Sequence, residues 1–208
     1  VPKFINSIII DIYNEDNSNL NFKNIFTKIE SPDFFKTFTL NTSIKNLIYK
    51  NILYDNISSK INIVDYFKVK TGFINIENPH FKTTTFINRS NKNLLNLHGS
   101  LIFNDMNTST YLQNSNAFIS GESSYTIKFD NTNNYHIKLI SDLYEIKMNN
   151  FLINDVIDTT YITRNFDKLN LKSQGKIFSM KINDLLWHDI PYFGKINDSG
   201  TNLFINYN

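Results

Sequence analysis

Two short runs constrain this chain most: Tyr125-Thr126-Ile127-Lys128-Phe129 and Tyr135-His136-Ile137-Lys138-Leu139, joined by Asp130-Asn131-Thr132-Asn133-Asn134. Strict apolar/polar alternation between Asn/Asp clusters is the pattern of half-buried antiparallel strands. Side chains in a strand repeat every second residue, so Tyr125, Ile127 and Phe129 share one face, as do Tyr135, Ile137 and Leu139. Upstream, Leu95, Leu97, Gly99, Leu101 and Phe103 fall on one face of a longer run. Downstream, Ser141-Asp142-Leu143-Tyr144-Glu145-Ile146-Lys147-Met148 extends the pattern.

The rest of the chain reads the same way. Ile8, Ile10 and Ile12 alternate within Phe4–Tyr13. Further strand candidates are Phe34–Leu40, Ile44–Tyr54, Ile61–Val69, Gly72–Ile76 and Phe81–Ile87, with Ser31-Pro32-Asp33 and Asn78-Pro79 as breaks. The stretch from Phe22 to Glu30 fits a helical face or a strand. Asp105 is placed to cap a short helix carrying Met106, Tyr111 and Leu112. After Phe151–Ile157 and Asp158–Asn165, Leu169 and Leu171 open a strand, Gly175 marks a turn, and Phe178, Met180 and Ile182 share a face. Asn197-Asp198-Ser199-Gly200 reads as a hairpin turn before Leu203, Ile205 and Tyr207. Ala117 is the only alanine and Asn and Ile are abundant, as an A/T-rich genome would give. Few strong helix formers are left, while Ile, Phe, Tyr and Thr favour pleated surfaces. The expected fold is therefore mainly β, antiparallel strands with at most one or two short helices; alternation alone does not separate a curled, groove-shaped sheet from a two-sheet sandwich. No linker divides it, so residues 1–208 read as a single continuous segment.

Composition and motifs exclude more chemistry than they suggest. Lys plus Arg number 21 against 19 acidic residues, a net charge of +2. That balance does not suit a nucleic-acid binder, and the lysines read as single solvated residues on the polar sides of strands. No cysteine is present, which removes disulfides, thiolate metal sites and a Cys nucleophile. His80, His98, His136 and His188 have no metal-ligand spacing. Glu15-Asp16 lacks the pattern of a calcium loop. There is no Gly-x-Ser-x-Gly elbow and no glycine-rich phosphate loop, and the nearest carboxylates of note are Asp155 and Asp158. The expectation is a non-enzymatic protein with no metal and no cofactor.

Gly121-Glu122-Ser-Ser-Tyr-Thr-Ile-Lys-Phe129, the turn, Tyr135-His-Ile-Lys-Leu-Ile-Ser-Asp-Leu143 and Glu145-Ile-Lys-Met148 together resemble the periplasmic repeat region of AsmA-like proteins, most of all the YhdP branch. Phe178-Ser-Met-Lys-Ile-Asn-Asp-Leu-Leu-Trp-His-Asp-Ile-Pro-Tyr-Phe-Gly-Lys-Ile196 is similar to a recurring unit of that family. The resemblance covers roughly Leu94 to Ile196. It departs where Glu145 replaces a glycine and where Asn149-Asn150-Phe151-Leu152 replaces a proline-rich phrase. The resemblance implies a periplasmic piece of a longer protein, anchored to the inner membrane by a segment outside this chain. It implies a hydrophobic β-groove carrying phospholipids between the inner and outer membranes of a Gram-negative bacterium. Its partners would be phospholipid acyl chains and the two membranes. The groove-lining residues it points to are Leu95, Leu97, Leu101, Phe103, Tyr125, Ile127, Phe129, Tyr135, Ile137, Leu139, Phe178, Met180 and Ile182. Two alternatives stay open. One is a β-sandwich interaction or adhesion module with a dry core. The other is a TamB-like factor in outer-membrane assembly.

Overall fold

The computed structural model describes residues 6–12, 20–33, 36–49, 52–65, 68–90, 94–110, 116–129, 134–165, 168–197 and 200–205. Almost all of them are antiparallel strand, and one 3-10 turn at Thr108–Thr110 is the only helical element among the described residues. The strands are β1 (Asn6–Ile12), β2 (Leu20–Asn21), β3 (Asn24–Ser31), β4 (Phe38–Tyr49), β5 (Ile52–Val64), β6 (Lys68–Glu77), β7 (Phe81–Arg89) and β8 (Leu95–Asn107). They continue as β9 (Ala117–Phe129), β10 (Tyr135–Met148), β11 (Phe151–Asn165), β12 (Lys168–Ile182), β13 (Leu185–Asn197) and β14 (Gly200–Ile205). The sheet order follows the chain from β1 and β3 through to β14, with β2 beside β4; the path has two ends, so the sheet is unclosed. The chain forms two compact units, Val1–Leu95 and Asn96–Asn208.

Unit 1 carries a row of isoleucines across five strands. Ile12, Ile25, Ile44, Ile57 and Ile76 are successive ladder partners from β1 to β6. Directly paired residues point to the same side of an antiparallel sheet, so the row is a continuous apolar stripe. The ambiguous segment from Phe22 is therefore a strand from Asn24 onward, with Ile25 and Ile29 in the row set and Phe26 37% exposed on the other side. The Ile44–Tyr54 run is two strands: β4 ends at Tyr49 and β5 starts at Ile52, with Tyr49 paired to Ile52. Ile61–Val69 likewise divides between β5 and β6 beside Asp65, whose φ is 47°. The Ser31-Pro32-Asp33 break does end a strand. The Thr37 N–H and hydroxyl both donate to the Asp33 carboxylate, at 2.6 and 2.8 Å, which holds its pKa below the usual value.

Unit 2 is organised by a seam. The ladders of β10 to β13 hold register except at Tyr144, Asp155, Phe178 and Asp189, which lie side by side and pair with nothing in the ladder. Asp155 and Asp189 have φ of 55°, and in β9 the seam passes at Gly121, φ 148°. β10 has one residue more than β9 here, a bulge between Leu143 and Glu145. Across the seam the sheltered face advances three residues instead of two: Leu143 to Ile146, Val156 to Ile153, Ile177 to Met180, Ile190 to Trp187. Bulges bend a strand and raise its local twist, so a row of them curls the sheet.

Burial confirms the curl. Within unit 2 the strands β9 to β14 pack against their ladder neighbours, and among the described residues no second sheet covers either face. A flat single layer would leave both faces open. Yet Val156 and Ile190 are 4% and 2% exposed, because the side chains of neighbouring strands close over the concave side.

Two sequence expectations are corrected here. Asp105 caps no helix: it is a positive-φ residue inside β8, φ 48°, whose N–H donates to Ser120 Oγ at 3.0 Å. Tyr111 and Leu112 lie outside the described residues. Gly175 is no turn but the middle of β12, between Asp158 and Tyr192. The hairpin at Asn197 is present as the pair Asn197 with Gly200.

Candidate functional site: an apolar face with a buried polar row

The concave face of unit 2 is a set of transverse rows. Ile127, Ile137, Ile162, Leu171 and Ile196 are successive partners from β9 to β13. Gly121, Leu143, Val156, Ile177 and Ile190 form a second row, and Ile119, Ile146, Ile153, Met180 and Trp187 a third beyond the seam. Phe129 and Tyr135 pair at the hairpin end with ring centroids 6.3 Å apart.

Nearly all the residues expected from sequence fall on sheltered positions. Tyr125 pairs with Leu139 and Ile127 with Ile137, all four half-buried. Leu95, Leu97, Leu101 and Phe103 are half-buried in β8 while His98, Ser100 and Ile102 between them are exposed. Met180 joins Ile153 and Trp187, and Ile182 joins Phe151 and Leu185.

Phe178 does not belong with Met180 and Ile182. It sits in the seam on the outer side, 37% exposed, with the Lys176 ammonium 4.7 Å from its ring centroid. Lys176 also pairs with Asp189 at 2.7 Å, and this contact holds the Asp189 pKa below its usual value. The bulge causes the misplacement, because counting by two across it moves the inward set from Ile177 to Phe178.

One row in this face is polar: Ser123, Ser141, Asp158, Gly175 and Tyr192. The Ser123 hydroxyl donates to Ser141 Oγ at 2.9 Å, with both residues buried. Asp158, 9% exposed, accepts three hydroxyl protons. Ser173 Oγ and Tyr192 Oη donate to Oδ1, and Thr160 Oγ1 donates to Oδ2, each at 2.6 Å. An unpaired carboxylate would not survive here, and the three donors make its burial tolerable. Gly175 makes the arrangement fit. A β-carbon there would stand 2.2 Å from the Ile157 carbonyl oxygen and 2.8 Å from Tyr192 Oη, so the phenol lies across the space a side chain would fill.

Burial is the main cause that raises the Tyr192 pKa far above its ordinary value of 10.0, with the Asp158 contact adding to it. The native state holds this proton more tightly than the unfolded chain. The resulting stability is present in full below pH 10 and is lost as pH rises from there toward the folded pKa. Tyr192→Phe removes one titrating proton. Above pH 10 the stability of wild type is expected to fall more steeply than that of the variant by up to about 1.4 kcal/mol per pH unit. Urea titrations at pH 9 to 11.5 check it, and parallel slopes would contradict it.

Sequence reasoning missed the Asp158 network and the central members Ile162, Leu171 and Ile190. Alternation marks each strand's faces but carries no cross-strand register, so it cannot bring Asp158, Ser173 and Tyr192 together. Among the described residues no group of three His, Asp or Glu side chains is placed to hold a metal ion. No protein-family model, no curated protein and no solved structure matches this chain.

Proposed function

We propose that this chain is a segment of a non-enzymatic lipid conduit that receives phospholipid acyl chains on the concave face of unit 2. In this reading it carries them between the inner and outer membranes of a Gram-negative cell, in the manner of AsmA-like proteins. The observation that supports it most is an apolar face on a curled, single-layer sheet, with rows that run from strand to strand. Each row offers one continuous track; from β9 to β13 it spans about 19 Å at the usual strand spacing.

The physical need for such a track is large. Moving both acyl chains of a phospholipid through water, roughly thirty carbons at about 0.8 kcal/mol each, costs on the order of 20 kcal/mol. An apolar trough removes most of that barrier with no covalent step, while headgroups stay in water at its open side. Ser123 and Ser141 in the polar row are small and buried, so they put no bulky side chain in the path of an acyl chain. Asp158 has its three donors inside the sheet and so presents no unpaired charge to a passing chain.

The test is native mass spectrometry of the chain purified from a bacterial periplasm, followed by lipid extraction. Wild type is expected to carry phospholipid, and Ile137→Asp to lose at least about nine-tenths of it, since a carboxylate in the track opposes acyl burial by several kcal/mol. Ile140→Asp, on the outer face and 42% exposed in wild type, keeps the lipid. A lipid-free wild type that takes up none from added vesicles would favour an interaction module instead.

A further inference from the structure

The outer face of unit 2 carries a second feature that the lipid reading does not use. Lys138, Tyr161, Lys172 and Lys195 are successive ladder partners across β10 to β13. Lysines that look isolated along the chain are thus gathered into one row. Lys172 and Lys195 stand directly opposite each other, an arrangement in which like charges repel and destabilise the pair. The Lys138 ammonium lies 5.7 Å from the Tyr161 ring centroid. The flanking rows are His136, Thr163 and Asn170 on one side and Ile140, Thr159, Gln174 and Phe193 on the other. None of these positions is acidic. Lys176, one row further, is already paired with Asp189. Lys138, Lys172 and Lys195 have no carboxylate within ion-pair distance among the described residues.

A cleft of about 520 Å³ opens at this row, lined by Tyr161, Thr163, Asn170, Lys172, Ser173, Gln174 and Phe193, with Lys195 outside the lining but paired with Lys172 on the next strand. Tyr161 and Phe193 are 41% and 36% exposed, so their rings are available to a ligand. Asn170 Oδ1 is buried and has no hydrogen-bond donor. A buried acceptor left without a donor costs free energy; the oxygen is closed to the cleft as it stands, so a ligand hydroxyl recovers that cost once the Asn170 carboxamide, which lines the cleft, turns toward it. The cleft therefore asks three things of one molecule. It needs an anionic group between the lysines, a hydroxyl donor for Asn170 and an apolar C–H face for the rings.

We propose that this cleft binds an anionic sugar, with the phosphate or carboxylate between Lys172 and Lys195 and the ring against Tyr161 and Phe193. The site lies on the face opposite the acyl track, so it stands or falls separately from the lipid reading. Ile137→Asp leaves it intact.

The test is titration calorimetry of the whole chain with glucose 6-phosphate, glucose and inorganic phosphate, beside flotation with phosphatidylglycerol vesicles. Saturable binding of glucose 6-phosphate is expected, with glucose and inorganic phosphate each weaker by about tenfold or more, since each offers only part of the contact set. K172Q and K195Q are each expected to weaken the sugar phosphate about tenfold, with melting midpoints at or above wild type because a like-charge pair is relieved. Asn170→Leu weakens the sugar phosphate and leaves inorganic phosphate unchanged. Three results overturn the proposal: no saturable binding by wild type, undiminished binding by the folded K172Q/K195Q double variant, or adsorption to vesicles without binding of the soluble sugar phosphate.

Discussion

Gly175→Ala is expected to destabilise the protein by about 3 kcal/mol or more, because the new methyl overpacks a site with no slack. Its β-carbon would meet the Ile157 carbonyl oxygen at 2.2 Å, Tyr192 Oη at 2.8 Å and the Asp158 Cα at 3.0 Å. Two of those are backbone atoms of an interior ladder and cannot swing aside. The third cannot move without breaking its bond to Asp158. For a chain of this length the melting midpoint is expected to fall by about 6–12 °C. Gly194 supplies the control in the neighbouring row of β13. A β-carbon there finds nothing nearer than Leu203 Cδ1 at 3.8 Å. Gly194→Ala is expected to be neutral or to stabilise by up to about 1 kcal/mol, since it removes unfolded-state freedom without a clash. Equal melting points for the two variants would contradict the placement of Tyr192 over Gly175.

Asp158→Ala is expected to cost about 3 kcal/mol, comparable in size but different in cause. It leaves three hydroxyls, on Thr160, Ser173 and Tyr192, without the acceptor they were folded around. Asp158→Asn separates the contributions. Its amide oxygen can keep Ser173 and Tyr192, while its NH₂ now faces Thr160, whose hydroxyl can turn to accept. The expected loss is about 1 to 2 kcal/mol, the difference between charged and neutral acceptors. Denaturant unfolding of the two variants and wild type checks the order, and a loss for Asn equal to that for Ala would mean that the charge alone matters. Neither substitution is expected to abolish acyl binding in the fraction that stays folded, because the carboxylate is already tied into the sheet.

How much of this was legible beforehand follows from what alternation encodes. The runs at Tyr125 and Tyr135 gave their strands, their pairing and their sheltered face, because a short Asn-rich turn between two alternating segments leaves little freedom. The antiparallel, nearly helix-free architecture followed from the same pattern repeated along the chain. Turns were harder where the residues that usually mark them are absent. The Tyr49–Ile52 connection contains no glycine, and the two strands read as one. Glycine itself misled at position 175, where it makes room for a neighbour's ring and does not turn the chain.

Asparagine and aspartate carry conformational work that looks, from composition, like genome bias. Each non-glycine residue with positive φ among the described residues is one of these two: Asn46, Asp65, Asp105, Asn149, Asp155, Asn183 and Asp189. Their short polar side chains tolerate the left-handed region better than other residues with a β-carbon. Asn149 and Asn183 fill two-residue loops between β10 and β11 and between β12 and β13. Asp155 and Asp189 sit in the seam. The seam shifts the inward set by one residue, which is why Phe178 was placed inside and Ile177, Val156 and Ile190 were passed over. Cross-strand register was not in the sequence at all. Asp158 with Tyr192, and Lys172 with Lys195, become neighbours only once the ladders are known.

The proposed conduit requires that lipid meet one face of this sheet and not the other. Leu139 and Ile140 are adjacent in β10 and point to opposite sides, Leu139 half-buried beside Tyr125 and Ile140 exposed. A photoreactive amino acid placed at each position in turn, irradiated in living cells and analysed for attached phospholipid, compares the two faces across a single residue. The expected result is phospholipid adducts at position 139 and none above background at 140. Equal labelling at both positions, or labelling at 140 alone, would contradict the account.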